Sequence, residues 1–93
     1  MKVDEIYRGI LAKNGWKYQY TVAIEELAEL TKELTKAIRD KGSNANTCEE
    51  IADVEICLAQ IKLIIPRSKI QVQLFKSFKL QRLEKLYIEG AEK

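Results

Sequence analysis

The stretch YTVAIEELAELTKELTKAI, residues 20–38, decides the fold. Its apolar residues Tyr20, Ala23, Ile24, Leu27, Leu30, Leu34, Ala37 and Ile38 recur at helical spacing, which predicts one amphipathic helix over about 17–39. Glu26 shares the stripe of Ala23, Leu27, Leu30 and Leu34, where a small helical protein should bury hydrocarbon. Glu26, Glu29 and Glu33 fall within about 60° of one another on the helical wheel. Gln19 and Val22 extend that strip towards the N-terminus.

Three further helical patterns surround this one. Val3, Ile6, Tyr7, Ile10 and Leu11 mark a helix over about 3–13, stopped by Asn14-Gly15. DKGSNAN at 40–46 has turn composition, and a third helix follows over about 47–65, where Pro66 prevents continuation. Val72, Phe75, Leu83 and Leu86 lead a fourth helix, about 69–88, in which they form the expected inward stripe. Strand-like alternation is almost absent. Long helices with short links favour antiparallel packing, so the expectation is one all-α domain over 1–93, a four-helix-bundle-like protomer. The third helix is apolar around most of its circumference. That places it centrally or against a second subunit, and in so short a chain favours oligomerisation.

The third helix repeats the anomaly of the second. Within EEIADVEICLAQIKLI, residues 49–64, a single stripe holds Glu50, Asp53, Cys57, Ile61 and Ile64. An uncompensated buried carboxylate costs several kcal/mol, a large share of the stability of a small domain. The acids are therefore exposed, or a cation sits among them. Glu-x-x-Glu taken alone is ordinary surface decoration. Thr47-x-x-Glu50 also fits a capping box, but Asn46-x-x-Glu49 fits one equally well and leaves Glu50 free. Two acidic pairs on adjoining helices raise the metal reading above decoration. With only oxygen donors, the expected ion is Mg²⁺, or Mn²⁺, which keeps waters and completes its shell with phosphates.

Composition narrows the chemistry. There are no histidines, which removes Ser-His and Cys-His catalysis. Cys48 and Cys57 stand nine positions apart on one helix, roughly 13 Å along its axis and beyond the span of a disulfide. Two free thiols in a reducing compartment are expected. A net charge of +2, with basic residues scattered among acids, gives no stripe for nucleic acid. No apolar run reaches the roughly 20 residues that span a bilayer, and MKVDEIYRG lacks a signal-peptide core. A cytoplasmic protein is expected.

Glu26-x-x-Glu29, twenty residues, then Glu50-x-x-Asp53 resembles the paired acidic signature of the MazG-type all-α nucleoside triphosphate pyrophosphohydrolases. GWKYQYTVAIEELAELTKEL is similar to that family's pattern of Gly, an aromatic, a Gln and the acidic helix. EEIADVEICL is similar to its second acidic helix, and the likeness spans roughly 14–63. The resemblance implies hydrolysis of a nucleoside triphosphate to the monophosphate and pyrophosphate, with Glu26, Glu29, Glu50 and Asp53 as metal ligands. A neighbouring carboxylate, Glu29 by preference, would accept the proton from water, with Glu33 as an outer partner. Lys79 and Arg82 match a Lys and an Arg three apart on the family's last helix and would neutralise phosphate charge. Snorkelling along apolar surface is the competing account of both. Lys41 is a weaker candidate for the same task. Trp16 and Gln19 suit base recognition through stacking and edge hydrogen bonds, although Trp16 serves equally well as a lid on the core between the first two helices. The resemblance also implies a homodimer or homotetramer with shared sites. The alternative, from another class, is a non-catalytic helical interaction module whose acids hold a structural cation.

Overall fold

The computed structural model describes residues 1–90, which form four helices: α1 (Val3–Asn14), α2 (Trp16–Ile38), α3 (Asn44–Ile64) and α4 (Ser68–Tyr87). No strand occurs among the described residues, as expected. None of the helices is long and apolar enough to cross a membrane.

The helix boundaries follow from backbone chemistry. Gly15 lies at φ 84°, ψ 166°, a region open essentially to glycine alone, and its N–H donates to Leu11 O at 2.8 Å to close α1. At the end of α2, Asp40 adopts φ 57°. There the Lys41 N–H donates to Lys36 O at 2.8 Å and the Asp40 N–H to Ala37 O at 3.0 Å, a Schellman closure. Gly42, at φ 79°, then lays its Cα against the last turn of α2. A Cβ there would stand 3.3 Å from Lys36 Cβ. Beneath this turn Glu33 is buried and paired with Lys36 at 3.1 Å.

Helix α3 begins earlier than its sequence suggests. Neither Asn46 nor Thr47 is the N-cap. Ser43, extended at φ −145°, ψ 151°, accepts a bond from the Asn46 N–H at 3.1 Å, and Thr47 turns its hydroxyl back to donate to Ser43 O. Because Ser43 follows the Gly42 turn directly, the chain enters the helix as soon as it leaves the closure of α2. Pro66 ends α3 as expected, with Ile65 extended before it. Arg67 at φ 60° reverses the chain, and Ser68 Oγ donates to Lys62 O at 2.8 Å.

α2 and α3 fold back on each other as a hairpin, and α1 lies against both. Among the described residues, α4 packs on α3, and the Lys69–Asp4 ion pair at 4.0 Å ties it to α1. Its expected inward stripe is therefore mostly outward within one chain: Val72 is half-buried, while Phe75, Leu83 and Leu86 are exposed. Among the described residues the only buried apolar ones are Ala23, Val54 and Cys57. The radius of gyration, 16.8 Å, exceeds the roughly 12 Å of a compact chain of this length.

Candidate metal centre

The α2 stripe that faces α3 is Gln19, Ala23 and Glu26, at i, i+4, i+7. Across the hairpin, α3 presents Glu50, Asp53 and Cys57 at i, i+3, i+7. The crossing brings the carboxylates of Glu26, Glu50 and Asp53 together, with one oxygen from each lying within 4.8 Å of the others. Glu26 and Glu50 are half-buried and Asp53 is exposed, so the trio opens to solvent on the Asp53 side.

Three like charges this close are costly. At such a separation each pair repels by roughly 1 kcal/mol in bulk water and about 3 kcal/mol near a protein surface. Glu26 responds. Its carboxyl holds a proton to higher pH than usual, first because burial strips its water, then because Asp53 and Glu50 repel a second charge and hydrogen-bond to the retained proton. The Cys57 thiol is pushed up as well, by burial first and then by Glu26 and Asp53, so it stays protonated and is no nucleophile.

Glu50 Oε2 is sealed from solvent and makes no hydrogen bond while its neighbours are ionised. Ionised neighbours cannot supply one. A proton shared among the acids, or a cation, would satisfy that oxygen. The donor set around it is three carboxylates and no nitrogen, which suits a hard divalent ion such as Mg²⁺ or Mn²⁺.

Of the four acids singled out in the sequence, three converge and Glu29 does not. It stands one turn further along α2, exposed and outside the trio. Glu33 is engaged with Lys36 under the turn, at the far side of Leu30 from Glu26. Lys79 and Arg82 are exposed on α4, which makes no approach to α2, and neither forms an ion pair with the trio. Lys41 is exposed in the turn.

Trp16 and Gln19 part company. Trp16 is half-exposed at the start of α2, edge-on to Tyr20 with ring centroids 5.3 Å apart and Lys17 Nζ 5.6 Å from its own centroid. Gln19 is only 3% exposed, and its Nε2 lacks an acceptor. Gln60, not picked out from the sequence, is also buried. Its signal was available, since it follows Asp53 by seven residues and so shares that helix face. A cleft of about 480 Å³ lies elsewhere, between α1, α3 and α4, where Lys62, Lys69 and Lys76 face Asp4 and Glu55. Its mixed charges mark no single ligand.

No protein-family model, no curated protein and no solved structure matches this chain.

Proposed function

We propose that the chain is a Mg²⁺-dependent nucleoside triphosphate pyrophosphohydrolase of the MazG type. It would act in the cytoplasm on the nucleotide pool, as a homodimer or homotetramer, releasing monophosphate and pyrophosphate. The observation that carries this reading is the convergence of Glu26, Glu50 and Asp53 around a buried, unpartnered carboxylate oxygen. Those three side chains hold the cation, and Mn²⁺ can replace Mg²⁺ there. A bound divalent ion supplies charge neutralisation for phosphate oxygens and acidifies nearby water. Glu29, exposed one turn along α2 and outside the trio, takes the proton from an attacking water in this reading, and could join the ligands only by swinging toward them. Lys79 and Arg82 neutralise charge developing on the phosphates. Trp16 offers a half-exposed face for base stacking, and Gln19 an unsatisfied amide.

One observation favours a second reading, a non-catalytic helical module with a structural cation. Within a single chain the basic residues of α4 stand apart from the acids. The two readings separate in one assay. Common and modified nucleoside triphosphates are incubated with protein and Mg²⁺, and pyrophosphate is measured. Turnover of at least one, lost with EDTA and with Glu26→Gln, supports the enzyme. Absence of metal-dependent release across the panel, together with a melting temperature that Mg²⁺ raises and nucleotide does not, supports the module.

A further inference from the structure

Asn14 and Gly15 end α1, but the pair also carries a reaction that helix termination does not use. An asparagine side-chain amide is electrophilic at Cγ, and the next residue's backbone nitrogen can close a five-membered ring onto it. Glycine hinders that attack least, because it has no Cβ beside the nitrogen. Of the chain's three asparagines, only Asn14 precedes glycine; Asn44 precedes Ala45, and Asn46 precedes β-branched Thr47. Asn14 and Gly15 are both exposed, and a Cβ placed on Gly15 would meet nothing within 4 Å, so the ring has room to form. The native backbone opposes it. Asn14 is the last helical residue, and the Gly15 N–H donates to Leu11 O at 2.8 Å. A nitrogen held in that bond has its hydrogen committed along the helix axis, and it cannot turn to Asn14 Cγ.

We propose that Asn14 is a site of spontaneous deamidation, timed by opening of the last turn of α1. When the Gly15 N–H leaves Leu11 O, it gives its proton to hydroxide and the nitrogen attacks Asn14 Cγ. The new C–N bond forms as ammonia leaves, taking its proton from water, and a succinimide results. Water then opens the ring at either carbonyl. One opening gives aspartate at position 14. The other gives isoaspartate, whose main chain runs through the former side chain and is one methylene longer. The reaction consumes only water and needs no oxidant or reductant. Isoaspartate at this corner draws the Gly15 N–H away from Leu11 O. It thereby undoes the closure of α1, the helix that lies against both α2 and α3. Hydrogen exchange at the Gly15 amide needs the same two events, release from Leu11 O and loss of the same proton. The fold therefore slows exchange and deamidation by the same factor. The site shares no residue with Glu26, Glu50 and Asp53 and stands independently of the catalytic reading.

The test follows the full chain in mildly alkaline buffer by peptide mapping and mass spectrometry. An unstructured peptide of the sequence around Asn14 sets the unhindered rate. Asn14 should convert to aspartate and isoaspartate while Asn44 and Asn46 stay intact. Its slowing relative to the peptide should match, within about threefold, the protection of the Gly15 amide read by NMR hydrogen exchange. Ala12→Gly weakens the last turn of α1 at an exposed position two residues from the reacting pair. It should speed conversion and Gly15 exchange alike, by about fivefold. A wider loosening of α1 by this substitution leaves the prediction standing, because the two rates must still move together. Asn14 left intact after the peptide's half-life multiplied by the Gly15 protection factor overturns the proposal. So does conversion at the peptide's own rate, since the turn then times nothing. Ala12→Gly that speeds exchange without speeding conversion overturns it as well, as does conversion of Asn44 or Asn46 ahead of Asn14.

Discussion

Glu26 on α2 and Asp53 on α3 hold carboxylate oxygens within 4.8 Å of each other across the hairpin, with the buried Glu50 Oε2 beside them. The hairpin is the chain's most extensive helix pairing, yet it brings like charges together. Neutralising one of them should relieve repulsion in the metal-free protein. Asp53→Asn is expected to raise the apo melting temperature by about 3 °C, equivalent to about half a kcal/mol. The same substitution should abolish the stabilisation given by Mg²⁺ or Mn²⁺ and cut metal-dependent turnover by about a hundredfold or more. Melts with and without metal check the first two effects. An apo protein made less stable by Asp53→Asn would show that the trio is held by something other than a missing cation.

The raised proton affinity of Glu26 gives the apo protein a pH dependence of definite sign. A carboxyl whose folded pKa lies above its ordinary value binds its proton more tightly folded than unfolded. Its contribution is fully present below the ordinary pKa of 4.5 and is lost as pH rises from there through the raised folded value. Apo stability should therefore fall across that window, and Glu26→Gln should flatten the fall. Metal affinity runs the other way, rising with pH because proton and cation compete for the same oxygens. Denaturant melts at a series of pH values, with EDTA and then with Mn²⁺, read both slopes.

The fold was largely legible because periodicity and punctuation agree. Asn14-Gly15 and Pro66 end helices where their chemistry requires it, and the acids of α2 and α3 meet because Glu26, Glu50 and Asp53 each share a stripe with buried residues. Two things were hidden. Ser43 lies inside a run of turn-forming residues, and the downstream Asn46/Glu49 and Thr47/Glu50 pairs imitate capping boxes, so the start of α3 depended on how Gly42 packs on Lys36. The apolar stripe of α2 also reads as one broad face. The structure splits it into a half that α3 covers and a half that it does not, a distinction of neighbours rather than of residue type. α4 failed differently: its apolar residues are spread around the helix between lysines, arginine and glutamines, so the stripe of Val72, Phe75, Leu83 and Leu86 was a weak guide to which side packs, and within the chain hardly any does.

Ser43 offers a clean test of where α3 begins. Its hydroxyl satisfies the Asn46 N–H, one of the donors that a helix start leaves without an intrahelical partner. Ser43→Ala should cost about 1 kcal/mol and lower the melting temperature by about 4–8 °C. Asn46→Ala, inside the first turn, should cost less. The reverse order in a thermal melt would move the helix start back to the position that sequence pattern alone suggests.

Gly15 carries a backbone cost that no side-chain contact confuses. A Cβ there would meet nothing within 4 Å, so Gly15→Ala tests the φ of 84° alone. The expected loss is about 1–3 kcal/mol, seen as a lower midpoint in urea with an unchanged slope. Gly9→Ala, in the middle of α1 with equal space around it, should instead stabilise by about half a kcal/mol or more.

Glu29 and Glu26 should separate binding from chemistry. Glu26 belongs to the converging trio, while Glu29 is exposed and one turn away on the same helix. If Glu29 takes a proton without ligating, Glu29→Gln lowers kcat by about a hundredfold and leaves Mn²⁺ affinity within about twofold. Glu26→Gln should weaken Mn²⁺ by about tenfold or more. Calorimetric titration of Mn²⁺ reads affinity for both variants without requiring turnover, and kinetics on an accepted triphosphate read the rest. Equal losses of affinity in the two variants would make Glu29 a ligand, its carboxylate swinging one turn to join the trio when the ion arrives. Equal retention would leave the trio without a cation to hold, and the convergence of Glu26 with Glu50 and Asp53 would then be a proton-sharing cluster.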